Sequence, residues 1–504
     1  MSYDVIIIGA GLGGLTAGAK LSKEGKKVLL IEQHTIPGGC ATTFKRKDLK
    51  IEVGLHMIDG LDDEDPKLNI LKELGVLDNV EFKRVPDFYR FIKPGFEMTI
   101  PDNYKQAINV LTERFPAEKK GIVKFFKIIL ALRKEVFKVP RRKWPLIFMM
   151  PILPFLAPNL MLRENSTIGQ LLDELFEDEN LKLVLLANLG YYHNNPYTMS
   201  LIYYSVAQGS YFKGGGYFIK GGSQKLSDHL AKIIENNNGK IIYGQQVEEI
   251  IITNGKATGV KYRKKTDSDS EQRIAYGKYI VANTAIPNMV NDLLKDEEAK
   301  TKLSTAVGKL EIAPSILSVY LGFKKPAKEL GNHYYSTIFY DGAISHQREL
   351  AQYHHADFSK RLFIFVDYSL LDSGLAPDGK SVGVICTLDN ISDWENLSSD
   401  KYADRKDEAA RILIGRLDKF LPGIKNEIEY SEVGTPTTIR RYTLNPEGTA
   451  YGYAQIPSQA GRKRVKIKSP IPNLYFASAW TEPGHGFTGA ILSGKYCAEE
   501  ILRE

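Results

Sequence analysis

The chain has 504 residues, of which 43% are hydrophobic and 25% are charged, as in an ordinary globular protein. At roughly 100 to 200 residues per domain, this length predicts two or three units. The net charge of +7 is too small an excess to indicate nucleic acid as a partner. Cys40, Cys386 and Cys497 lack metal-ligand or C-x-x-C spacing, so neither a disulfide framework nor a metal site is expected.

A dinucleotide-binding pattern opens the chain. Residues 4–8 are a continuous apolar run typical of a strand buried on both faces, and residues 9–14 follow it as G-x-G-x-x-G. A helix predicted over 15–21 and a strand predicted over 26–31 complete a β-α-β unit that ends at an acid, Glu32. The agreement of all these parts predicts a nucleotide site.

Each part of this pattern has a physical role. Gly9 makes the tight turn, Gly11 lets the backbone approach a pyrophosphate at the helix N-terminus, and Gly14 allows the helix to pack on the strand. Glu32 can accept hydrogen bonds from ribose hydroxyls. These features are compatible with either NAD or FAD. A second glycine turn, Pro37-Gly-Gly39, follows five residues later and favours FAD, because it lets the chain lie along an extended dinucleotide.

Cys40 follows that second turn directly. Dithiol flavoenzymes place a redox cysteine here and its partner five residues later, but position 45 is a lysine. The pattern therefore excludes a dithiol relay, and Cys40 is predicted to be a small packing residue.

The C-terminal segment is predicted to form a second part of the same nucleotide site. Residues 473–480 read as a strand, residues 481–489 as a glycine-rich turn, and the following residues as a helix that starts near Phe487. The positive end of such a helix would face the flavin pyrimidine ring and favour the negative charge that develops there on reduction.

The chain has two further motifs, Gly54-Leu-His56 and Gly221-Gly-Ser223. Together with the motifs above, they make it resemble the phytoene desaturase, carotenoid isomerase and retinol saturase family along nearly its whole length. The resemblance implies an α/β fold in which a Rossmann-like FAD-binding domain of the glutathione reductase and amine oxidase type is interleaved with an α+β substrate domain. It places the FAD-binding domain at 1–60, 213–287 and 430–504, and the substrate domain at 61–212 and 288–429. The middle of the chain matches only in general character.

The resemblance also implies non-covalent FAD and a long polyene or isoprenoid substrate that is dehydrogenated, isomerised or saturated. Nicotinamide, NAD(P)H, is one of three candidate reductants, beside the substrate and a separate reductase. An oligomer is compatible with the sequence. The cofactor-binding residues that it implies are Gly9, Gly11, Leu12, Gly14, Glu32, Gly38, Gly39, Val247, Ser478, Ala479, Gly486, Phe487 and Thr488.

Three residues are candidates for the chemistry. Carotenoid desaturases commonly have Thr-His-Pro-Gly before the last helix, whereas this chain has Glu482 at the second position, either as a proton donor or as a replacement of similar size. His485 lies in the same turn. His56 follows a strand-like run, where a lone histidine is more often a core residue than a catalytic residue or a flavin contact.

Residues 119–162 predict a segment that associates with membranes. Ten Lys or Arg and one acid, Glu135, are interleaved with apolar residues over 119–143, and residues 144–162 carry no charge. Four prolines interrupt the apolar run, so shallow insertion into one leaflet, with Arg141, Arg142 and Lys143 on anionic head groups, is expected rather than a span. A buried cap over the substrate cavity is the alternative. The first strand begins by Tyr3 and leaves no room for a signal peptide, so a cytoplasmic, peripherally membrane-associated protein is expected.

Two other functions share these motifs. An FAD-dependent amine oxidase would need an aromatic cage, and a non-catalytic prenyl- or lipid-binding escort protein would have lost the cofactor chemistry. The intact glycines and Glu32 argue against the escort protein.

Overall fold

Two seven-stranded sheets organise the residues that the computed structural model describes, which are 2–141, 148, 150–267, 270–353 and 357–504. The strands of the first sheet come from both ends and the middle of the chain. In spatial order they are Lys240–Ile242, Val28–Ile31, Ser2–Ile8, Arg273–Ala282, Lys256–Lys264 and Gln245–Thr253, with Leu474–Phe476 also paired to Arg273–Ala282.

The central strands of this sheet are parallel. Ile8 pairs with Ile31 on one side and with Ala282 on the other, so three strands end at the same edge. The side chains of Val5, Ile6 and Ile7 are fully buried, because the sheet is covered on both faces. This burial explains the continuous apolar run and brings the loops that follow the strands to one place.

The second sheet is largely antiparallel. In spatial order its strands are Ile428–Gly434, Ser315–Phe323, Ser381–Asp389, Phe363–Asp367, Ser336–Phe339, Tyr89–Lys93 and Phe96–Ile100. Two small sheets join the large ones, and they contain Thr43–Arg46 with Leu49–Glu52, and Ile58–Asp59 with Gly216–Ile219 and Phe82–Arg84. The domain limits proposed above stay a prediction.

The helices cover both sheets. The α-helices of six residues or more are Leu12–Lys23, Pro66–Glu73, Tyr104–Arg114, Lys119–Lys138, Pro158–Arg163, Ile168–Leu175, Glu179–Leu185, Leu201–Gly214, Gln224–Asn236, Glu297–Val307, Ser399–Phe420, Pro436–Thr443 and Gly486–Ile501. Single turns lie at Val76–Asn79, Leu153–Leu156, Ile286–Asn288 and Ile424–Glu427. Among the described residues, no helix combines the length and the apolar character needed to span a membrane.

The predicted elements of the nucleotide unit are present with small shifts in their bounds. The first helix begins at Leu12 rather than at 15, because Gly11 already has the extended backbone of an N-cap residue, with φ of −72° and ψ of 170°. The second strand begins at Val28. The last helix begins at Gly486, one residue before the predicted start.

The first and last helices pack against each other through glycines. A Cβ atom on Gly494 would lie 2.3 Å from the carbonyl oxygen of Gly13, and one on Gly13 would lie 2.1 Å from the carbonyl oxygen of Ala477. These distances are too short for any side chain. The close contact therefore fixes the N-terminal turn relative to the C-terminal turn.

We expect the substitution Gly494→Val to separate these helices. Inserting methyl groups into a close-packed contact costs about 1–3 kcal/mol, so the thermal unfolding midpoint should fall and bound flavin should be lost. Gly415→Ala is the matched control, because Gly415 also lies in a helix but a Cβ atom added there would meet no other atom within 4 Å. An unchanged midpoint and flavin content in Gly494→Val would contradict this role.

Candidate functional site

A single cavity of about 1190 Å³ connects the N-terminal and C-terminal turns with the second sheet. Two helices direct their N-termini at it, the helix Leu12–Lys23 and the helix Gly486–Ile501, and Leu12, Gly486 and Phe487 line it. Neither helix has a side-chain hydrogen bond at its N-cap, Gly11 or His485. The first-turn N–H groups of both helices are therefore available to acceptors in the cavity.

The nucleotide end of the cavity is built around Glu32. This carboxylate is buried, accepts hydrogen bonds from the N–H of Ala10 at 2.6 Å and of His34 at 2.8 Å, and lines the cavity. A Cβ on Gly14 would meet the carbonyl oxygen of Gly9 at 2.3 Å, as expected of a glycine that packs the helix on the strand. Glu32 thus orders the glycine turn.

The second glycine turn lies against the first. Gly38 donates from its N–H to the carbonyl oxygen of Ala10 at 2.7 Å, and Gly38 and Gly39 have φ values of +127° and +61°, which favour glycine. Cys40 follows them with its side chain exposed on the cavity wall. Cys40 thus lies at the surface of the cavity, and its role as a small packing residue stays a prediction.

The C-terminal turn is held by a buried cation that the sequence did not indicate. Arg464 is almost inaccessible, and its guanidinium donates to the carbonyl oxygens of Tyr453 at 3.0 Å, Ala479 at 2.8 Å and Thr481 at 3.2 Å. Burial lowers the pKa of Arg464 to about 10. This side chain positions the turn that precedes the last helix.

His485 occupies the centre of that turn. It packs between the rings of Tyr203 and Tyr451, with centroid distances of 4.8 and 5.0 Å, and its Nδ1 is 3.0 Å from the Tyr203 hydroxyl. Burial, with Arg464 nearby, lowers the pKa of His485 well below its ordinary value, so the ring is neutral. Its Nε2 and both side-chain polar atoms of Gln455 are buried without a hydrogen-bond partner among the described residues.

Glu482 lies on the cavity wall between two cations. Its carboxylate is 3.1 Å from Nη2 of Arg141 and 3.2 Å from Nζ of Lys466. The Arg141 guanidinium also lies over the ring of Tyr496 at 3.3 Å. These contacts tie the start of the segment after residue 138 to the C-terminal turn, and they suit a structural carboxylate better than a proton donor.

His56 also lines the cavity, where it contacts a tyrosine. Its Nδ1 is 2.8 Å from the hydroxyl of Tyr191, and its carbonyl oxygen accepts from Tyr335. Burial lowers the pKa of His56 to about 4, which keeps the imidazole neutral near pH 7. The contact gives His56 a role in fixing the Tyr191 ring.

Sequence reasoning missed two carboxylates. Asp59 lines the cavity and accepts a hydrogen bond from the Thr488 hydroxyl in the first turn of the last helix. Glu52 is buried and accepts from the N–H groups of Gly54 and Leu55 and from both the N–H and the hydroxyl of Ser223. In the sequence these two acids are marked only by their positions: Glu52 lies two residues before Gly54, and Asp59 directly follows Ile58.

The half of the cavity beyond the C-terminal turn is lined by aromatic rings. Most of their hydroxyls are bound by protein atoms: Tyr211 donates to Met57 O at 3.0 Å, Tyr320 donates to Val53 O at 3.1 Å, and Tyr192 accepts from Gln208. Because these hydroxyls are bound by the protein, the faces of the tyrosine rings remain available to a ligand. The aromatic lining consists of Phe88, Tyr191, Tyr192, Tyr203, Tyr211, Tyr320 and Tyr451.

The helix Lys119–Lys138 borders this half, with its apolar face turned inward. Ile122, Phe125 and Ile129 are buried, and the buried guanidinium of Arg133 pairs with Asp62 at 2.6 Å. Its apolar face is therefore part of the protein core. The burial of this face agrees with the alternative of a buried cap, and membrane association of residues 119–162 stays a prediction.

The apolar segment after this helix is different. Phe155 and Leu162 are 85% and 82% exposed, whereas Leu160 and Met161 of the same segment line the cavity. Glu135 holds the segment by accepting from Nδ2 of Asn159 and from the N–H of Leu160. Residues 142–147 and 149, which include Arg142, Lys143, Pro145 and Trp144, lie outside the described residues. Phe148, Met150, Ile152, Leu156 and Met161 are also exposed in this segment.

The residues present fit FAD. The glycine turn and helix N-terminus at Leu12 suit a pyrophosphate, and the uncapped helix N-terminus at Gly486 suits the carbonyl oxygens of a flavin pyrimidine ring. The predicted site residues that line the cavity are Gly9, Gly11, Leu12, Glu32, Gly38, Gly39, His56, Val247, Ser478, Ala479, Glu482, His485, Gly486, Phe487 and Thr488. Gly14 lies behind them in the helix contact, and the individual roles stay predictions.

Comparison with known proteins agrees with this geometry. The family of flavin-containing amine oxidoreductases matches residues 12–502. The chain is 28% identical to prolycopene isomerase of Daucus carota, over all of this chain and 80% of that protein, and 25% identical to all-trans-retinol 13,14-reductase of Danio rerio, over 99% of this chain and 85% of that protein.

A solved structure of putrescine oxidase has the same fold. It aligns with a TM-score of 0.64 at 14% identity, with all of both chains covered. The expected α/β fold of the amine oxidase type is thus confirmed, as is the predicted family. The chain belongs to the flavin-containing amine oxidoreductases and is an FAD-dependent oxidoreductase of the carotenoid isomerase and retinol saturase type.

Proposed function

We propose that this enzyme acts on a long apolar polyene or related isoprenoid, by exchanging a hydride with flavin N5, as a desaturase, isomerase or saturase. One observation carries the proposal: the cavity continues from the turn at His485 into a section walled by tyrosine rings whose hydroxyls are largely bound by protein atoms. Such a section offers apolar contact to an extended chain. The names of the two relatives, which act on a carotenoid and a retinoid, support the same substrate class.

The residues of the site would bind the cofactor and orient the substrate. FAD supplies the redox chemistry when it is bound, and the protein orients the substrate and excludes water. His485 and Asp59 are the side chains best placed to present or hold a proton, since His485 lies in the turn before the last helix and Asp59 accepts from Thr488 in the first turn of that helix. Glu482 would stabilise the turn through Arg141 and Lys466. Nicotinamide as a transient reductant is part of this proposal.

The arrangement of Tyr203 and Tyr451 bears on amine oxidation. An aromatic cage needs a gap between two rings for the substrate amine, but both rings here pack on the imidazole of His485. This packing disfavours an amine substrate.

We also propose that the exposed part of 148–162 inserts into one leaflet of a membrane beside the cavity mouth. Lys119 and Lys120 are exposed on the helix Lys119–Lys138, which packs against the helix Pro158–Arg163 of this segment, whereas Lys124 is paired with Glu174 at 3.1 Å. Apolar side chains flanked by lysines suit an anionic lipid surface. A polyene would then enter from lipid past Leu160 and Met161 without crossing water.

The substrate proposal predicts turnover of a polyene by the FAD-loaded protein. Anaerobic incubation with carotenoid and retinoid polyenes, with and without a reductant, should yield a dehydrogenated, isomerised or saturated product detectable by chromatography. Ala207→Trp should keep its flavin but lose at least tenfold in rate, because Ala207 lines the cavity and a Trp ring would fill it. Gly415→Trp, on a distant helix, is the control. No product from any polyene in either redox state, with peroxide released from amines instead, would contradict the proposal.

The membrane proposal predicts that the double substitution Phe155→Glu and Leu162→Glu abolishes flotation with anionic vesicles. Losing about 1.5 kcal/mol of burial for each side chain lowers the partition coefficient roughly hundredfold. Ile274→Glu with Tyr276→Glu is the matched control, since these side chains are also exposed but lie in the first sheet. Equal flotation of the wild type and the first double variant would rule out this anchor.

A further inference from the structure

The lining of the cavity reaches the protein surface at two neighbouring elements. One is the apolar segment 148–162, where Met161 lines the cavity and is 48% exposed. The other is a turn at residues 461–466, which we call the basic turn. Its exposed side chains that line the cavity are Arg462, Lys463 and Lys466. An apolar element and a cationic element therefore border the same opening.

Side-chain contacts connect the basic turn to its surroundings. Nζ of Lys463 is 2.7 Å from Oδ1 of Asn165, which lies just after the apolar segment. Nζ of Lys466 is 3.2 Å from one carboxylate oxygen of Glu482, and the other oxygen is 3.1 Å from Nη2 of Arg141. These contacts hold the basic turn beside the apolar segment.

The basic turn is anchored from inside by Arg464. This side chain is buried, and its guanidinium donates to the carbonyl oxygens of Tyr453 at 3.0 Å, Ala479 at 2.8 Å and Thr481 at 3.2 Å. The neighbouring cations of the turn are exposed, whereas Arg464 is fixed in the interior. The backbone of the turn is thus ordered before any partner binds, which lowers the entropic cost of binding.

Positive charge is in excess at this opening. The bonds of the Lys463 ammonium go to neutral oxygens, those of Asn165 and Pro457, and Arg462 has no acidic partner among the described residues. The charged residues that line this part of the cavity are Arg141, Arg462, Lys463 and Lys466, with the acids Glu164 and Glu482. Four cations against two acids leave a net charge of +2, and most of this excess lies on the basic turn.

We propose that the basic turn binds the anionic head groups of membrane phospholipids while the apolar segment beside it inserts among the lipid chains. This inference rests on the membrane insertion proposed above and adds a second contact surface at the cavity opening. Exposed cations beside exposed apolar side chains suit an anionic lipid surface. A soluble anion or an acidic protein would satisfy the cations but would leave Phe155 and Leu162 in water.

Two contacts of different chemistry fix how the protein lies on the membrane. The apolar segment sets the depth of insertion, and the basic turn keeps the cavity opening at the level of the head groups. A polyene that leaves the bilayer then passes Met161 and enters the cavity directly.

Flotation of the FAD-loaded protein tests this inference with two kinds of vesicle, phosphatidylcholine alone and phosphatidylcholine mixed with phosphatidylglycerol. Arg462→Gln with Lys463→Gln should bind the anionic vesicles about thirtyfold less tightly than the wild type, at about fivefold for each basic side chain near the surface. Its binding to neutral vesicles should not change, because the apolar segment is intact. Lys302→Gln with Lys309→Gln is the matched control, since these lysines are also exposed but lie in or just after the helix Glu297–Val307.

A second variant keeps the charge and changes the side chains. Arg462→Lys with Lys463→Arg should bind anionic vesicles as tightly as the wild type does. Raising the salt concentration from about 0.1 M to about 1 M should remove the preference of both proteins for anionic vesicles, because the Debye length falls from about 10 Å to about 3 Å.

Equal binding of anionic vesicles by the wild type and the Gln double variant would overturn this inference alone and leave the apolar anchor standing. Equal losses of that variant from neutral and anionic vesicles would also overturn it, because the basic turn would then act on the fold rather than on head groups. Failure of the wild type to bind either kind of vesicle would overturn the proposed membrane insertion, and this inference with it.

Discussion

The contact between the first and last helices is the constraint on which the site depends. Gly494 lies so close to Gly13 that no side chain fits between them, and the N–H of Ser478 is bonded to the hydroxyl of Ser493 at 3.0 Å. This contact places two uncapped helix N-termini, from opposite ends of the chain, around one cavity. FAD, with acceptors on its central pyrophosphate and on its flavin ring, fits across them, so we expect the helix contact to set both the position of the cofactor and the place where the substrate section begins.

Beyond the start of the substrate section, the lining of the cavity changes from polar groups to aromatic rings. The nucleotide half is made of backbone N–H groups and Glu32, whereas the aromatic half consists of ring faces with most of their hydroxyls bound to protein atoms. The neutral ring of His485 lies where the two halves meet. The charged groups near this boundary are paired: Arg464 donates to carbonyl oxygens, Glu482 lies between Arg141 and Lys466, and Asp59 accepts from the Thr488 hydroxyl. This separation suits a substrate that has no charged group to be recognised by.

Much of the nucleotide half was predictable from the sequence, because local patterns specify it: a buried strand, a glycine turn and a helix come in order, and the predicted bounds shift by only one to three residues. The apolar half was less predictable. Arg464 binds carbonyl oxygens 11, 15 and 17 residues away and Asp59 binds Thr488, 429 residues away, and no spacing rule indicates such contacts. The position of the helix Lys119–Lys138 was not predictable either, because its amphipathic pattern fits a membrane surface and a protein core equally well. Only its packing in the folded protein shows that Ile122 and Phe125 are buried.

The central claim is that flavin and an apolar chain share one cavity, with the chain in the tyrosine-lined section. The most direct measurement is a crystal structure of the protein with FAD and a long polyene bound. The account predicts the flavin ring beside Gly486 and Phe487 and the polyene between His485 and Tyr211, within contact distance of the ring. A polyene found only on the outer surface, with the tyrosine-lined section filled by water, would contradict it.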